Sequence, residues 1–344
     1  MAIYHKLAIN ADDYGPVPFM NAGIIDAVNQ GLVTSVSVLA NNYEAPGYQY
    51  EFKKAMKDLI TACKKNKAGI GVHLCITAGG PLTKSDHLVL TDHNTPKPGE
   101  FHEIQDLRLS LDDKHLKAIK AEIKAQIKRV NDELKKNGMK LDHVNSHHNI
   151  ISLFDPYHTC LMHVLKEMKI KTAVRNPLPI SKDDLHKKKY KSNKRQFKDS
   201  VMKKKGTWTG ALVAAENNEP IKLLMTIASN ILEKNMKIRR TEAIFDYGHV
   251  CPDFLFDGFY GQPEDEYEVL KNMVEFYKKH KKRNISGELV VHLGKGKHSN
   301  QAELNGIESS YFDGRQKERE ELEDYGLPEK LKAAGIKLCR MSDL

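Results

Sequence analysis

Short apolar runs alternate with amphipathic stretches along the chain. The apolar runs are rich in β-branched residues and predict strands at 6–10, 35–40, 69–76, 141–146, 172–175, 242–247 and 288–293. Between them, apolar residues recur at helical spacing and predict helices at 16–30, 52–65, 116–134, 157–168, 222–232 and 266–280. Repeated strand-then-helix order implies parallel strands covered by helices. About seven such units predict an α/β fold, a TIM-like (β/α) barrel that is seven-stranded or distorted.

Polar side chains capable of chemistry recur at or just beyond the carboxyl ends of the predicted strands. They are Asp12, Asp13, His73, His147, His148, Arg175 and His292. In a β/α barrel these ends open on one face, where active sites form. A single polar residue in an apolar strand is most often a hydrogen-bonded core group. Because five separate segments bring Asp, His or Arg to the same face, the pattern indicates a functional site.

Carboxylate and imidazole together are common ligands of divalent metal ions. One Asp and two His leave coordination positions open for water and substrate, as a catalytic metal requires. Asp12 and Asp13 are adjacent, so an extended backbone does not point both the same way. The pattern leaves open which of them binds metal, and whether the pair instead caps a helix before Pro16. His147 and His148 are adjacent too, so one of them is expected to support a ligand or contact substrate.

Composition narrows the class of protein. Hydrophobic residues make up 40% of the 344-residue chain, enough for a large core. No apolar stretch predicts a signal peptide or a membrane span. The five cysteines form no C-x-x-C pair, which favours free thiols and a cytoplasmic location.

The net charge of +9 is concentrated in one segment. Residues 182–205 carry eleven Lys or Arg and three Asp, so the rest of the chain is nearly balanced. We expect a single 1–344 barrel domain with a solvated lysine-rich insertion at about 182–206, rather than a dedicated polyanion-binding patch. Because the excess positive charge is confined to this solvated segment, we do not expect a nucleic-acid partner. The sequence does not determine whether the protein forms a homodimer.

Several motifs resemble the YdjC-like, or chitooligosaccharide deacetylase, family, which is related to polysaccharide deacetylases. The family's N-A-D-D-[FY]-G opening is similar to NADDYG at 10–15. Its other segments are similar to GVHL at 71–74 with Thr77, Gly79 and Pro81, to SHH at 146–148, to Arg175, to ELVVH at 288–292, and to the tail with Tyr311, Arg315, Glu318 and Leu322. The resemblance runs in order over essentially the whole chain.

This resemblance implies a carbohydrate N-deacetylase that needs one divalent metal ion, magnesium or zinc. The implied reaction removes acetyl groups from small N-acetylglucosamine oligosaccharides such as diacetylchitobiose. Carried over by position, the metal ligands are Asp13, His73 and His147. Asp12 is then the general base and His292 the general acid. The remaining strand-end residues, Arg175 and His148, are expected to contact the acetylated sugar.

Three positions depart from the family pattern. Asn145 stands where the family has Asp, which removes a carboxylate that would orient a ligand His. Asn149 replaces a His, and Leu293 replaces a Pro beside the last catalytic residue.

Two other functions fit parts of the sequence. One is a metal-dependent barrel hydrolase or isomerase acting on a phosphorylated sugar, with Arg175 or the lysine-rich insertion holding the phosphate. The other is a non-catalytic carbohydrate- or nucleic-acid-binding barrel. A binding-only protein needs neither a base nor an acid, so the complete set of polar residues argues against the second alternative.

Overall fold

The protein is described by a computed structural model covering residues 5–42, 44–45, 48–83, 90–91, 99–101, 112–177, 234–257, 266–280, 284–296 and 311–344. Two sequence predictions, the lysine-rich insertion at 182–206 and the helix at 222–232, lie outside these described residues.

A parallel sheet forms the centre of the molecule and confirms the predicted barrel-like α/β fold. Its strands are β1 (His5–Tyr14), β2 (Ser35–Leu39), β5 (Gly69–Leu74), β6 (His143–Ser146), β7 (Ala173–Val174), β8 (Phe254–Phe256), β9 (Ser286–Val291) and β10 (Ile336–Leu338), and a small antiparallel pair comprises β3 (Glu44–Ala45) and β4 (Tyr48–Gln49). Strand order in the large sheet is β7-β6-β5-β2-β1-β9-β8, with β10 paired to the start of β1.

The two ends of the strand path meet just before β8. The backbone N–H of Val174 donates to the carbonyl of Val250 over 2.8 Å, and that of Val250 donates to Thr172 over 3.2 Å. A few residues later, the N–H of Asp253 donates to Ser286 at the start of β9 over 3.0 Å. The segment from Val250 onward therefore joins β7 to β9 and closes the sheet into a distorted barrel.

Helices cover the outside of the sheet. They are α1 (Pro18–Asn29), α2 (Phe52–Asn66), α3 (Asp113–Lys136), α4 (Ile150–Leu153), α5 (Asp155–Glu167), α6 (Lys234–Asp246), α7 (Glu266–Lys279), α8 (Phe312–Asp324) and α9 (Leu327–Ala333). The longest, α3, begins at the N-cap Asp112, whose side chain accepts from His115 N–H over 2.8 Å. The large apolar residues from Ile119 to Leu134 recur on one face of this helix and are buried. No helix in the described ranges combines the length and apolar character needed to cross a bilayer.

The sequence prediction of a strand at 242–247 is wrong. These residues lie mainly in α6, where Thr241 and Ile244 are buried one turn apart and Glu242 and Asp246 are exposed. A short run containing Ile and Phe fits a strand or one face of a helix equally well. The strand of this region is β8, whose three residues are too few to show a period in the sequence.

The two faces of β1 have different surroundings. Leu7, Ile9 and Ala11 belong to the main hydrophobic core. The alternate positions Asn10 and Asp12 carry buried polar side chains. A column of polar groups therefore lies among the strands and leads to their carboxyl ends.

Candidate active site

Asp12 and Asp13 reach the same site because the backbone turns between them. Asp13 has φ of 67°, and the pairing of β1 with β2 shifts register between Ala11 and Tyr14. A left-handed conformation is unfavourable for a residue other than glycine and clusters at functional sites. This turn lets two neighbouring carboxylates approach the same set of histidines, which a regular strand does not allow.

The three predicted metal ligands lie close together. The Asp13 Oδ1 atom lies 3.2 Å from His73 Nε2 and 3.2 Å from His147 Nδ1, and the two nitrogens are 3.3 Å apart. No other His, Cys, Asp or Glu cluster in the described ranges meets the geometry of a metal site.

These three atoms fit a divalent cation. Metal–ligand bonds to nitrogen and carboxylate oxygen are about 2.0–2.2 Å long, so one ion can touch three atoms separated by these distances. Asp13 Oδ1 is buried and accepts no hydrogen bond of good geometry, although two ring nitrogens face it. A buried carboxylate oxygen without a hydrogen bond is costly unless a cation contacts it. The donor set and its spacing are therefore those of a candidate metal centre.

The second oxygen of Asp13 is held by Arg315 from α8. Arg315 Nη2 donates to Asp13 Oδ2 over 2.7 Å, and both side chains are buried. Burial alone would raise the pKa of Asp13, but Arg315 and His147 outweigh it and hold the pKa well below its usual range. Asp13 is therefore ionised, with one oxygen committed to Arg315 and the other facing the histidines.

Asp12 is buried and held by a fork of hydrogen bonds. Arg175 donates to both of its oxygens, over 2.6 Å from Nη1 and 3.1 Å from Nη2. The amide of Asn10 donates to Asp12 Oδ1 over 2.7 Å. Burial would raise the pKa of Asp12, but Arg175 and then His73 lower it well below its usual range. Asp12 is therefore an ionised carboxylate held beside the triad.

Arg175 is engaged by protein carboxylates on both sides. Besides Asp12, its guanidinium donates to Glu288 Oε1 on β9, over 2.8 Å from Nε and 2.5 Å from Nη2. The arginine is 2% exposed. The sequence predicted that Arg175 contacts the substrate; in the structure its charge lies between Asp12 and Glu288.

The histidine pair ends β6 in a turn that separates the two rings. His147 lies in the triad, whereas His148 and Asn149 both have positive φ, of 52° and 57°. Asn is among the residues that tolerate this conformation best. His148 Nδ1 lies 3.0 Å from Thr77 Oγ1, and its ring packs on that of His147.

Helix α3 fixes the loop that brings Thr77 to this place. Glu122 accepts hydrogen bonds from Leu82 N–H and from Thr83 N–H and hydroxyl, at 2.8–3.0 Å. Gln126 donates to the carbonyl of Cys75 over 2.7 Å. These hydrogen bonds fix the loop after β5 to α3 and hold Thr77, which belongs to this loop, at the edge of the triad.

His292 lies beyond the end of β9 on a loop fixed by α1 and α8. Its backbone N–H donates to Glu318 Oε2 over 2.7 Å. Gly294 lies so close to Gly23 that a Cβ on Gly23 would fall 2.4 Å from the Gly294 backbone. These contacts hold the loop although Leu293 stands where the family has Pro.

Burial favours the neutral form of both His292 and Glu318. It lowers the pKa of His292 to about 4, although Asp13 and Asp12 oppose the shift. It raises the pKa of Glu318 to about 8. His292 is therefore a neutral imidazole at neutral pH.

Several groups near the site were absent from the predicted functional set. Arg315, Glu318 and Glu288 occur in the family-like segments, but nothing in their spacing assigned them a role. Asp257 follows β8, and burial raises its pKa to about 7 although Arg175 opposes the shift. Its signal in the sequence is the apolar triplet 254–256 ending in an acid, which repeats the pattern of β1.

Several carbohydrate deacetylases are similar to this chain in sequence. Carbohydrate deacetylases from Brevibacillus brevis and Oceanobacillus iheyensis are 32% and 31% identical over 145 and 166 residues, which cover 42% and 48% of this chain. The matched stretches span 50% and 63% of those relatives. A carbohydrate deacetylase from Clostridium beijerinckii is 25% identical over 78% of this chain and 91% of its own length.

A solved structure shares the fold. A protein from Enterococcus faecalis, provisionally described as a cellobiose-phosphate cleavage protein, matches with a TM-score of 0.63 at 20% sequence identity. The match covers 99% of this chain and 98% of that protein. At this identity the likeness concerns the fold alone.

The family model described as YdjC-like protein matches residues 6–333, and so includes every strand-end residue of the site. With the motifs in order and their side chains gathered at one end of the barrel, the chain belongs to the YdjC-like family.

Proposed function

We propose that this protein is a metal-dependent carbohydrate deacetylase. The observation that carries the proposal is the triad of Asp13, His73 and His147, whose ligand atoms lie 3.2–3.3 Å apart beside the ionised Asp12. The relatives named carbohydrate deacetylases support the reaction class. The proposed substrates are small N-acetylglucosamine oligosaccharides such as diacetylchitobiose, which an acetyl-hydrolysing site of this kind can accept.

The three triad residues are proposed to hold one magnesium or zinc ion. A divalent ion in such a site supplies Lewis acidity, which lowers the pKa of water and polarises a carbonyl group. Asp12 serves as the base that accepts a proton from the attacking water. Because Arg175 keeps this carboxylate ionised, it is ready to accept at any physiological pH, although the same contact makes it a weak base.

His292 is proposed to deliver a proton to the leaving amine nitrogen. Its pKa of about 4 means that the ring enters the reaction neutral. It therefore delivers a proton only after taking one up during the reaction. Asp12 holds the proton of the attacking water and returns to its ionised form by passing that proton to His292, which gives it to the amine. Arg175 acts by holding Asp12, while His148, beside Thr77 at the edge of the triad, remains the proposed contact for the sugar.

The phosphorylated-sugar alternative has less support from the geometry. It required Arg175 or the lysine-rich insertion to bind a phosphate, and Arg175 donates to two buried carboxylates instead. The binding-only alternative gives no reason for an ionised carboxylate buried beside a metal-type triad.

The test is an acetate-release assay on the full-length protein. Protein freed of metal by a chelator and reloaded with Zn²⁺ or Mg²⁺ is given diacetylchitobiose, its phosphorylated form and N-acetylglucosamine, with cellobiose as the control without acetyl groups. We expect acetate from at least one acetylated sugar, only after reloading. Phosphate release would favour the alternative, and sugar binding without any release would favour a binding protein.

A further inference from the structure

The side chain of Asn145 links a triad ligand to the proposed base. Its Oδ1 lies 2.7 Å from His73 Nδ1, and its Nδ2 lies 3.0 Å from Asp12 Oδ1 and 2.7 Å from Ser37 Oγ. The amide is completely buried at the end of β6. One side chain therefore contacts both halves of the site.

We propose that Asn145 is a positioning residue, which keeps a proton on Nδ1 of His73 so that Nε2 faces Asp13 and His147. The inference deepens the proposed function and rests on it for the role of the triad. It also gives a physical reason for an amide at a position where the family has a carboxylate.

The orientation of the amide follows from its neighbours. An ionised carboxylate only accepts hydrogen bonds, so the Asn145 atom facing Asp12 Oδ1 is the nitrogen. The amide oxygen then faces His73 Nδ1, and because this oxygen only accepts, the ring nitrogen carries the proton. The other nitrogen of His73, Nε2, points to Asp13 Oδ1 and is the atom that can bind a metal.

A buried chain of hydrogen bonds prevents the amide from turning over. Ser37 Oγ accepts from Asn10 over 2.9 Å and from Asn145 over 2.7 Å, so its own proton is left for His143 Nε2, 2.7 Å away. His143 Nδ1 then donates to Asp142 over 2.9 Å. Each N–H or O–H hydrogen in this chain has one acceptor. Reversing Asn145 would place its oxygen against the Asp12 carboxylate and remove its hydrogen bond to Ser37.

The packing of His143 fixes the far end of the chain. Its ring lies over Gly71 of β5, where an added Cβ would fall 2.5 Å from ring atoms. A residue with a side chain at this position would displace the ring. The hydrogen-bond chain is therefore set by the shape of the barrel interior as well as by its donors.

The amide suits both neighbours at once. A carboxylate at 145 also accepts the His73 proton, but it has no hydrogen to donate to Asp12 and would place two negative charges about as close as the present contact of 3.0 Å. Asn145 accepts from the ligand and donates to the base. The departure from the family pattern therefore leaves the ligand oriented.

The experiment compares zinc affinities of full-length variants by isothermal titration calorimetry. Asn145→Leu keeps the size and removes the acceptor, and we expect it to weaken zinc binding by about 10–100-fold, the usual effect of losing a partner of a metal-binding His. Asn145→Asp keeps the acceptor and is expected to retain affinity. The matched control is Asn10→Leu. Asn10 also donates hydrogen bonds to Asp12 and Ser37, and in the described part of the structure it makes none to His73.

Any of three results would overturn the inference. The first is wild-type zinc affinity in Asn145→Leu. The others are a loss of zinc affinity in Asn145→Asp, or in Asn10→Leu, equal to the loss in Asn145→Leu. If Asn145→Leu does not fold, nitrogen-15 NMR of the zinc-loaded wild type tests the inference instead, because it requires a proton on Nδ1 of His73 and none on Nε2.

Two further outcomes concern the proposed function. Zinc bound with this protonation pattern but no acetate released from any sugar would refute the deacetylase function alone. Failure of His73→Ala to reduce zinc binding would refute the triad.

Discussion

Arg315 and Asp13 lie 302 residues apart in the chain and are joined by a 2.7 Å hydrogen bond in the barrel. The bond leaves a single oxygen of Asp13 to face His73 and His147. An aspartate free to rotate would offer either oxygen, or both, to a metal. Helix α8 thus sets the ligand geometry of a residue on β1.

This relationship predicts that Arg315→Met lowers metal affinity. Without the guanidinium, the Asp13 carboxylate loses its fixed orientation and its buried counter-charge, so we expect a loss of about 10–100-fold. Arg319→Met is the matched control, because Arg319 lies one turn further along α8 and pairs with Asp26 and Glu323 instead. Calorimetric titration with Zn²⁺ measures both. Equal affinities in the two variants would show that Arg315 does not position the ligand.

Substitutions of the two adjacent aspartates should have different effects. Asp12→Asn removes the proposed proton acceptor, so metal should stay bound while acetate release falls by about 10²–10⁴-fold. Asp13→Asn weakens a ligand, so metal affinity should fall and excess metal should partly restore the rate. Metal analysis and a rate assay on each variant separate the effects. Metal loss in Asp12→Asn with retention in Asp13→Asn would reverse the two roles.

We expect the two histidines of the triad, His73 and His147, to bind one metal ion together with Asp13. His73→Ala and His147→Ala should each abolish tight binding of one divalent ion while leaving the fold intact, since each removes one of three converging ligand atoms. His148→Gln controls for the loss of a neighbouring ring that lies outside the triad. Elemental analysis after dialysis gives the stoichiometry, and circular dichroism checks folding. Full occupancy in both alanine variants would rule out the triad.

We expect the buried His158 of α5 to lower the free energy of unfolding in acid. Burial, together with Arg240, lowers its pKa from 6.5 to about 4. Below pH 6.5 the unfolded chain takes up a proton that the folded residue still excludes, so stability falls as the pH drops from 6.5 towards 4. Between pH 7 and pH 5 this residue should account for about 2 kcal/mol.

Urea unfolding at the two pH values tests this prediction. His158→Gln should show a correspondingly smaller difference between pH 7 and pH 5. His163→Gln, which removes an exposed histidine from the same helix, should follow the wild type. An unchanged pH dependence in His158→Gln would refute the assignment.

We expect the protein to remain stable when the lysine-rich insertion is replaced. We propose that the chain is a single domain and that 182–205, with few apolar residues, adds little to its stability. Exchange of this segment for a short Gly/Ser linker should leave the melting temperature nearly unchanged by scanning calorimetry. A sharp fall would show that the segment packs on the domain. Selective loss of activity on a phosphorylated sugar would indicate a role in binding phosphate.

The alternation of apolar runs and amphipathic stretches was enough to predict the fold class, and the motifs were enough to predict which three residues bind a metal. Parallel β/α units place the carboxyl ends of all strands on one face, so polar residues at 12–13, 73 and 147 were expected to lie close together. The family resemblance singled out Asp13, His73 and His147, and the structure brings these three together. The short strand β8 was missed, because three residues do not display a period.

How these residues act on one another depends on contacts that form only in the closed barrel. The left-handed turn at Asp13 brings both carboxylates to one place, closure of the barrel sets Arg175 between Asp12 and Glu288, and packing of α8 brings Arg315 to Asp13. Periodicity reports the local environment of a segment and carries no information about partners hundreds of residues away. Hydrogen-bond partners in a buried site depend on which donors and acceptors the closed barrel brings within about 3 Å.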